Sequence, residues 1–280
     1  MKKLILSLAT ISLFAVNANA QIKQGPYASF SIGYNFASNA NSNAIYGDTF
    51  QFYNSDETPG PDRFETIKLS LGKGVNFSGQ FGYMFNKNIG AEMGIGYVMG
   101  AETSANQNSS NGSGWNRSEL TLKANQLQIK PALVLAAGYS KINPYAKLGL
   151  VVGMGKTIFT NNQSDSTGDV GEYEVELTGG TMIGIRASAG LNFAINDKVS
   201  LFAELTSISG NIKPSEGKFT KATVNGVDVL PMMTYNDSNI VFEDEITTAG
   251  PELDSQPHKA IKPSFSANSL GLNFGVAYHF

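Results

Sequence analysis

Eight stretches of this 280-residue chain alternate apolar with small or polar side chains at every second position. That repeat constrains the fold more than any other feature. Period two belongs to an extended strand, whose successive side chains point to opposite faces. In 27–37, Ala28, Phe30, Ile32, Tyr34 and Phe36 alternate with Ser29, Ser31, Gly33 and Asn35. In 67–85 the apolar set runs from Ile67, Leu69 and Leu71 through Val75 and Phe77 to Phe81, Tyr83 and Phe85. The stretches 89–100, 144–156, 181–195, 199–209 and 268–280 repeat the pattern. The stretch 118–137 changes phase. Leu120 and Leu122 are even, but Leu127, Ile129, Leu133 and Leu135 are odd, which predicts a β-bulge near Lys123–Gln126. No convincing amphipathic helix, internal repeat, heptad or nucleotide-binding glycine fingerprint interrupts the pattern.

The connections alternate in length. Residues 86–88, 138–143 and 196–198 are tight and rich in Asn, Lys, Gly and Asp, as hairpin turns require. Residues 38–66, 101–117, 157–180 and 210–266 are long and polar. Long loops at one end and short turns at the other describe a barrel that spans an outer membrane, with both termini at the short-turn, periplasmic end. A soluble β-sandwich also alternates, but it carries more charge on its solvent face and turns of similar length at both ends. Here charged residues are 15% of the chain, below the usual ~25% of soluble domains, and there are 30 glycines. Lipid on one face and a cramped interior on the other account for both numbers. The expectation is therefore an all-β fold: a transmembrane antiparallel up-and-down β-barrel of eight strands with long extracellular loops. A ten-stranded ring is the alternative. Aromatic residues fall near the expected interfaces: Tyr27, Tyr83, Phe85, Phe193, Tyr278 and Phe280 at one end, Tyr34, Phe36, Tyr97 and Phe265 at the other.

The first twenty residues read as an address. Met1-Lys2-Lys3 is basic, residues 4–16 are apolar, and Ala18-Asn19-Ala20 has the A-x-A form of a cleavage site. The run is too short for a spanning helix, which needs ~20 apolar residues. The expected organisation is a cleaved signal peptide over 1–20 and a barrel domain over 21–280. Removing Lys2 and Lys3 leaves 18 basic against 23 acidic residues, a charge of −5. Composition excludes other classes. Without cysteine there is no disulfide scaffold, iron–sulfur site or thiolate zinc site. A mean hydropathy of −0.12 is too polar for a helical membrane protein, and a pI near 5.5 speaks against nucleic acid as a partner.

The last strand, LGLNFGVAYHF, resembles the C-terminal signature by which outer-membrane barrels are recognised by their assembly machinery, with Tyr278 and Phe280 as the residues that carry it. With IKPALVLAAG, NPYAKLGLVVGMG and AGLNFAINDKVSLFAEL, it also resembles the outer-membrane β-barrel domain family found widely in Bacteroidota. The likeness to the eight-stranded OmpA-type barrel is more distant. The resemblance covers roughly residues 25–280. It implies a place in the bacterial outer membrane, among outer-membrane lipid and lipopolysaccharide, and assembly by the barrel machinery. The sequence carries no segment like the peptidoglycan-binding domain of full-length OmpA proteins, so no cell-wall tether is expected.

Alternation aims five charged side chains into the lumen: Glu92, Lys130, Lys147, Arg186 and Glu204. All lie within about nine residues of a short turn, so one mixed-sign layer is expected. Charges in a narrow, poorly hydrated interior must be paired. Such a layer either plugs the lumen or acts as a gate whose pairs rearrange. Enzyme signals are thin. His258, near Glu252, Asp254 and Ser255, and the penultimate His279 are the only histidines, and no motif spacing supports a hydrolase. The run Glu243-Asp244-Glu245 offers carboxylates to calcium but lacks the spacing of a calcium loop, so a solvated acidic tip is expected. Asn225-Gly226, flanked by Phe219–Val224 and Val227–Val229, predicts a surface hairpin; TFQFY at 49–53 suggests a second. No cofactor, metal or catalytic residue is expected. The expected work is structural, or recognition of an unidentified extracellular ligand by the long loops. A narrow, porin-like pore for small solutes is the alternative, and an outer-membrane hydrolase is more remote.

Overall fold

The computed structural model of the chain describes residues 24–38, 53–57, 61–247 and 253–280. The expected leader at 1–20 and residues 49–52 of the TFQFY stretch lie outside them. In chain order the strands are β1 (Gly25–Ala37), β2 (Asn54–Glu57), β3 (Arg63–Glu65), β4 (Gly74–Met84), β5 (Ile89–Gly100), β6 (Thr103–Ser110), β7 (Trp115–Ala136) and β8 (Ile142–Asp165). They continue with β9 (Val170–Thr178), β10 (Thr181–Ala194), β11 (Val199–Ile212), β12 (Glu216–Val224), β13 (Val227–Asp228), β14 (Asn239–Glu243), β15 (His258–Ile261), β16 (Phe265–Ser266) and β17 (Ser269–His279).

Eight of these strands close a ring of antiparallel pairs: β1–β4–β5–β7–β8–β10–β11–β17, and back to β1. Closure leaves no sheet edge to be satisfied in hydrocarbon, the condition for a strand protein to cross a membrane. β1, β4, β5 and β17 have 13, 11, 12 and 11 residues, close to the ~9–11 a tilted strand needs to span. Their outward positions are apolar and exposed, among them Phe30, Ile32, Phe81, Met93, Ile95 and Phe274.

β7 and β8 have 22 and 24 residues, about twice the spanning length. Their outer halves pair with each other from Asn116↔Asp165 to Asn125↔Lys156 and climb beyond the membrane. There they seed a second sheet, ordered β3–β2–β6–β7–β8–β9–β12–β14–β15. Much of what the sequence presents as long loops is therefore strand. The expected hairpin forms: Thr223 and Val224 pair with Asp228 and Val227, and Asn225 and Gly226 both have positive φ, the geometry of a primed turn. Its longer strand, β12, is bound mainly to β9.

A one-residue slip does lie near Lys123–Gln126, as expected, but the extra residue is not on β7. β7 runs in unbroken register against β8 through that stretch, with even residues inward from Leu120 to Val134. The irregularity sits on the opposite strand, where pairing with β7 shifts by one residue between Gly100 and Thr103. The change of apolar phase has a different cause. Below Gln126 the apolar side chains face lipid, so they are odd. Above it the outside is water and the apolar side chains turn inward, so Leu120, Leu122 and Ala124 are buried.

These inward residues join an apolar layer across the barrel mouth, with Leu71, Met182, Ile208, Phe242 and Phe265 among its members. Two sequence readings are corrected by it. Phe265 is buried in this layer and is not an interface aromatic. Residues 67–73 do not extend β4. That strand begins at Gly74, whose φ of 141° suits glycine, and the preceding segment folds inward so that Leu69 and Leu71 are buried. The Leu71 amide donates to Ser266 O at 2.8 Å, and Gln126 Nε2 donates to Leu71 O at 3.0 Å, fixing the segment in the mouth.

Trp115, the sole tryptophan, stands at the outer end of β7. Lipids with brominated acyl chains are expected to leave its fluorescence unchanged, and to quench a tryptophan at the exposed position Leu133 in a Trp115→Phe background. Equal quenching of both would place the outer halves of β7 and β8 in the bilayer.

Candidate functional site

Four of the five lumen charges meet in a closed ring of ion pairs. Lys147 Nζ lies 2.9 Å from Glu92 Oε2 and 3.0 Å from Glu204 Oε2. Arg186 lies 2.8 Å from Glu204 Oε1 and 3.5 Å from Glu92 Oε1. All four side chains are buried. Hydroxyls satisfy further lone pairs: Tyr27 donates to Glu92 at 3.0 Å, Tyr145 to Glu204 at 3.1 Å, and Thr206 to Glu204 at 2.8 Å. A cluster with this many charge-assisted donors meets the condition under which buried ions are tolerated. Lys130 is buried too but stands apart. Its ammonium donates to Ser78 Oγ at 2.5 Å and rests over Gly96.

The ring has an internal two-fold pattern. Tyr27 on β1 is the register partner of Gly82 on β4, which is the partner of Glu92 on β5. Tyr145 on β8 partners Gly190 on β10, which partners Glu204 on β11. The two triads stand four strands apart around the ring. Each tyrosine ring passes over its glycine, where a Cβ would meet ring atoms at 2.3 Å over Gly82 and 2.4 Å over Gly190. Only glycine leaves room for the ring to reach the carboxylate. The turns below repeat as well: Asn86 Oδ1 accepts from the amides of Asn88 and Ile89, and Asn196 Oδ1 from those of Lys198 and Val199. The sequence reading finds no internal repeat and counts Tyr27 as an interface aromatic. The structure corrects both. The signal in the sequence is short: Pro26-Tyr27-Ala28 against Pro144-Tyr145-Ala146. It was diluted because both cations, Lys147 and Arg186, come from the second half alone.

Two cavities lie along the axis beside the ion pairs. A periplasmic vestibule of about 50 Å³ is walled by Tyr27, Tyr145 and Phe202 and floored by Lys147. A polar chamber of about 20 Å³ lies on the other side, between the ion pairs and the apolar mouth. Ser200 Oγ and His279 Nε2 approach to 3.2 Å at the periplasmic end, and the His279 ring faces Tyr27 at 5.8 Å. Tyr278 and Phe280 project outward, in edge-to-face contact at 5.1 Å.

The extracellular candidates separate from one another. Glu243 pairs with Lys259 at 2.9 Å and Asp244 with Lys262 at 3.1 Å, so two of the three carboxylates in the acidic run are already neutralised. Among the described residues no group of three or more His, Asp or Glu side chains is placed to hold a metal ion. His258 begins the edge strand β15 and pairs in register with Ile240; Glu252 lies outside the described residues. On the outer sheet, the hydroxyl of Thr167 beside Asp165 holds that carboxyl below its usual range, and Glu176 raises Lys156 above its own.

A closed antiparallel ring, apolar outside and charged within, defines a membrane β-barrel of the outer-membrane type. The profile of the outer membrane protein beta-barrel domain family matches residues 6–242, and the chain belongs to that family. It is a protein of the bacterial outer membrane. The crystal structure of the outer membrane protein OprG from Pseudomonas aeruginosa overlaps 94% of this chain and 99% of its own, at 12% sequence identity and a TM-score of 0.46. No curated protein sequence matches the chain.

Proposed function

We propose that the protein is a closed barrel that carries a rigid recognition surface outside the cell. The observation that carries this reading is the apolar layer across the mouth, stacked above the ion-pair ring. A path for polar solutes would have to cross both, and an apolar constriction excludes water as well as ions. A narrow pore is the weaker reading for that reason, although the ion pairs alone could exchange partners. Outside the membrane the chain builds a nine-strand sheet. Its outer tip exposes Val170, Val227 and Met232, apolar side chains that suit contact with another surface. Binding residues are commonly found on such scaffolded ends. This reading assigns no reaction to the chain. The outward pair Tyr278 and Phe280 serves assembly, as the resemblance of the last strand implies.

Planar bilayer recording on the purified, detergent-folded protein tests the closed state. The expected result is no stable conductance, and no swelling of liposomes in small sugars or amino acids. A steady open channel would replace this reading with the pore.

A further inference from the structure

We propose that the polar chamber above the ion-pair ring binds one halide-sized monovalent anion, held by Lys130. Two glutamates and two cations of the ring balance one another, which leaves Lys130 as the unmatched charge of the lumen layer. Among the described residues no carboxylate oxygen lies within 4.0 Å of its ammonium, and its hydrogen-bond partner is the neutral Ser78 hydroxyl. The residue is 6% exposed. Burying an ammonium without a counter-charge is strongly unfavourable, so a partner ion has a clear reason to bind.

The two-fold pattern explains how the imbalance arises. Arg186 lies four residues before Gly190, and the residue four before Gly82 is Ser78. Where the second half supplies a guanidinium that reaches a carboxylate, the first half supplies a hydroxyl, and Lys130 leans onto that hydroxyl instead. Gly96, the register partner of Ser78, leaves the space its ammonium occupies.

The chamber is lined by Lys130 and Arg186 together with the side-chain amides of Asn35, Asn76, Gln80 and Gln128. Two cations face one carboxylate there, Glu204, so the local field favours a negative guest. The volume, about 20 Å³ counted by where the centre of a water molecule can go, selects its size. Roughly 10–15 Å³ by that measure holds one water, so there is room for one small ion and none for phosphate or a carboxylic acid. Water alone would fill the space but would leave the charge. The chamber lies between the apolar layer above and the ion pairs below, and loading the anion during folding gives it access whatever the width of the path.

Crystals of the protein folded and grown in sodium bromide test this directly. The expected result is one anomalous peak beside the Lys130 ammonium; absence of that peak overturns the proposal. In solution, the protein refolded into detergent with sodium chloride is expected to melt a few degrees higher than in sodium gluconate of equal ionic strength, since gluconate is too large to enter. Lys130→Gln removes the unmatched charge and is expected to melt alike in the two salts. A chloride effect that Lys130→Gln keeps in full also overturns the proposal. If that variant does not fold, the bromide crystal of the unaltered protein decides alone. None of these outcomes depends on what the extracellular surface binds.

Discussion

Glu204→Ala is expected to lower the stability of the folded barrel by about 3–5 kcal/mol, the usual cost of leaving a buried ion without its partner. The carboxylate accepts from four groups: Arg186 at 2.8 Å, Thr206 at 2.8 Å, Lys147 at 3.0 Å and Tyr145 at 3.1 Å. Its loss sets two buried cations against Glu92 alone. The measurement is the urea midpoint at which the band loses its heat-modifiable migration on a gel. Glu204→Gln keeps the size and part of the hydrogen bonding, so its midpoint should fall between the two. Conductance should stay at baseline in both variants, because the apolar layer above the cluster is untouched. An unchanged midpoint would show that the cluster does not hold the barrel, and a new conductance would show that the layer is no seal.

Leu122→Asp is expected to separate the two storeys of the molecule. Leu122 is 1% exposed and belongs to the apolar layer. Truncation to alanine there should cost about 2–5 kcal/mol. A carboxylate costs more, since it is desolvated with no cation beside it. The outer halves of β7 and β8 and the sheet built on them rest on this layer, so added protease should cut between residues 103 and 180 in the variant and spare the unaltered protein. The spanning ring, held by its own hydrogen-bond ladder, should keep its heat-modifiable migration. Equal protection of the two proteins would mean that the outer sheet does not depend on this core.

The spanning part was legible because lipid imposes a simple rule on it. Phe30, Met93, Leu133 and Phe274 are apolar since they meet hydrocarbon, and the residues between them are small or polar since the lumen is narrow. The same alternation aimed Glu92, Lys130, Lys147, Arg186 and Glu204 inward. What it lacked was distance around the ring, so it could not separate Lys130, which pairs with Ser78, from the four that close on one another. The roles of Tyr27 and Tyr145 were hidden for a related reason. A tyrosine near a strand end reads as an interface residue until the glycine across from it is known to be its floor.

Above the membrane the rule inverts. Leu120 and Leu122 are apolar because they face the core, and in the sequence this inversion has the same look as a slip of register. The outer strands carry both polar faces and buried ones within a few residues. In β9, Val175 and Leu177 are buried while Glu174 and Glu176 are not, so a short segment of sheet looks like polar coil.

The ion pairs of the lumen also fix an order of events. Glu92 lies on β5, while Lys147 and Arg186 lie on β8 and β10. Arg186 can meet Glu204 on the neighbouring β11, but Glu92 reaches its two cations across the interior, and so is neutralised only once the sheet has curled. A flat sheet entering the bilayer would bring Glu92 to the acyl chains with no counter-ion. Rolling must therefore keep pace with insertion, and the final seam, between β1 and β17, closes around a cluster that is already gathered.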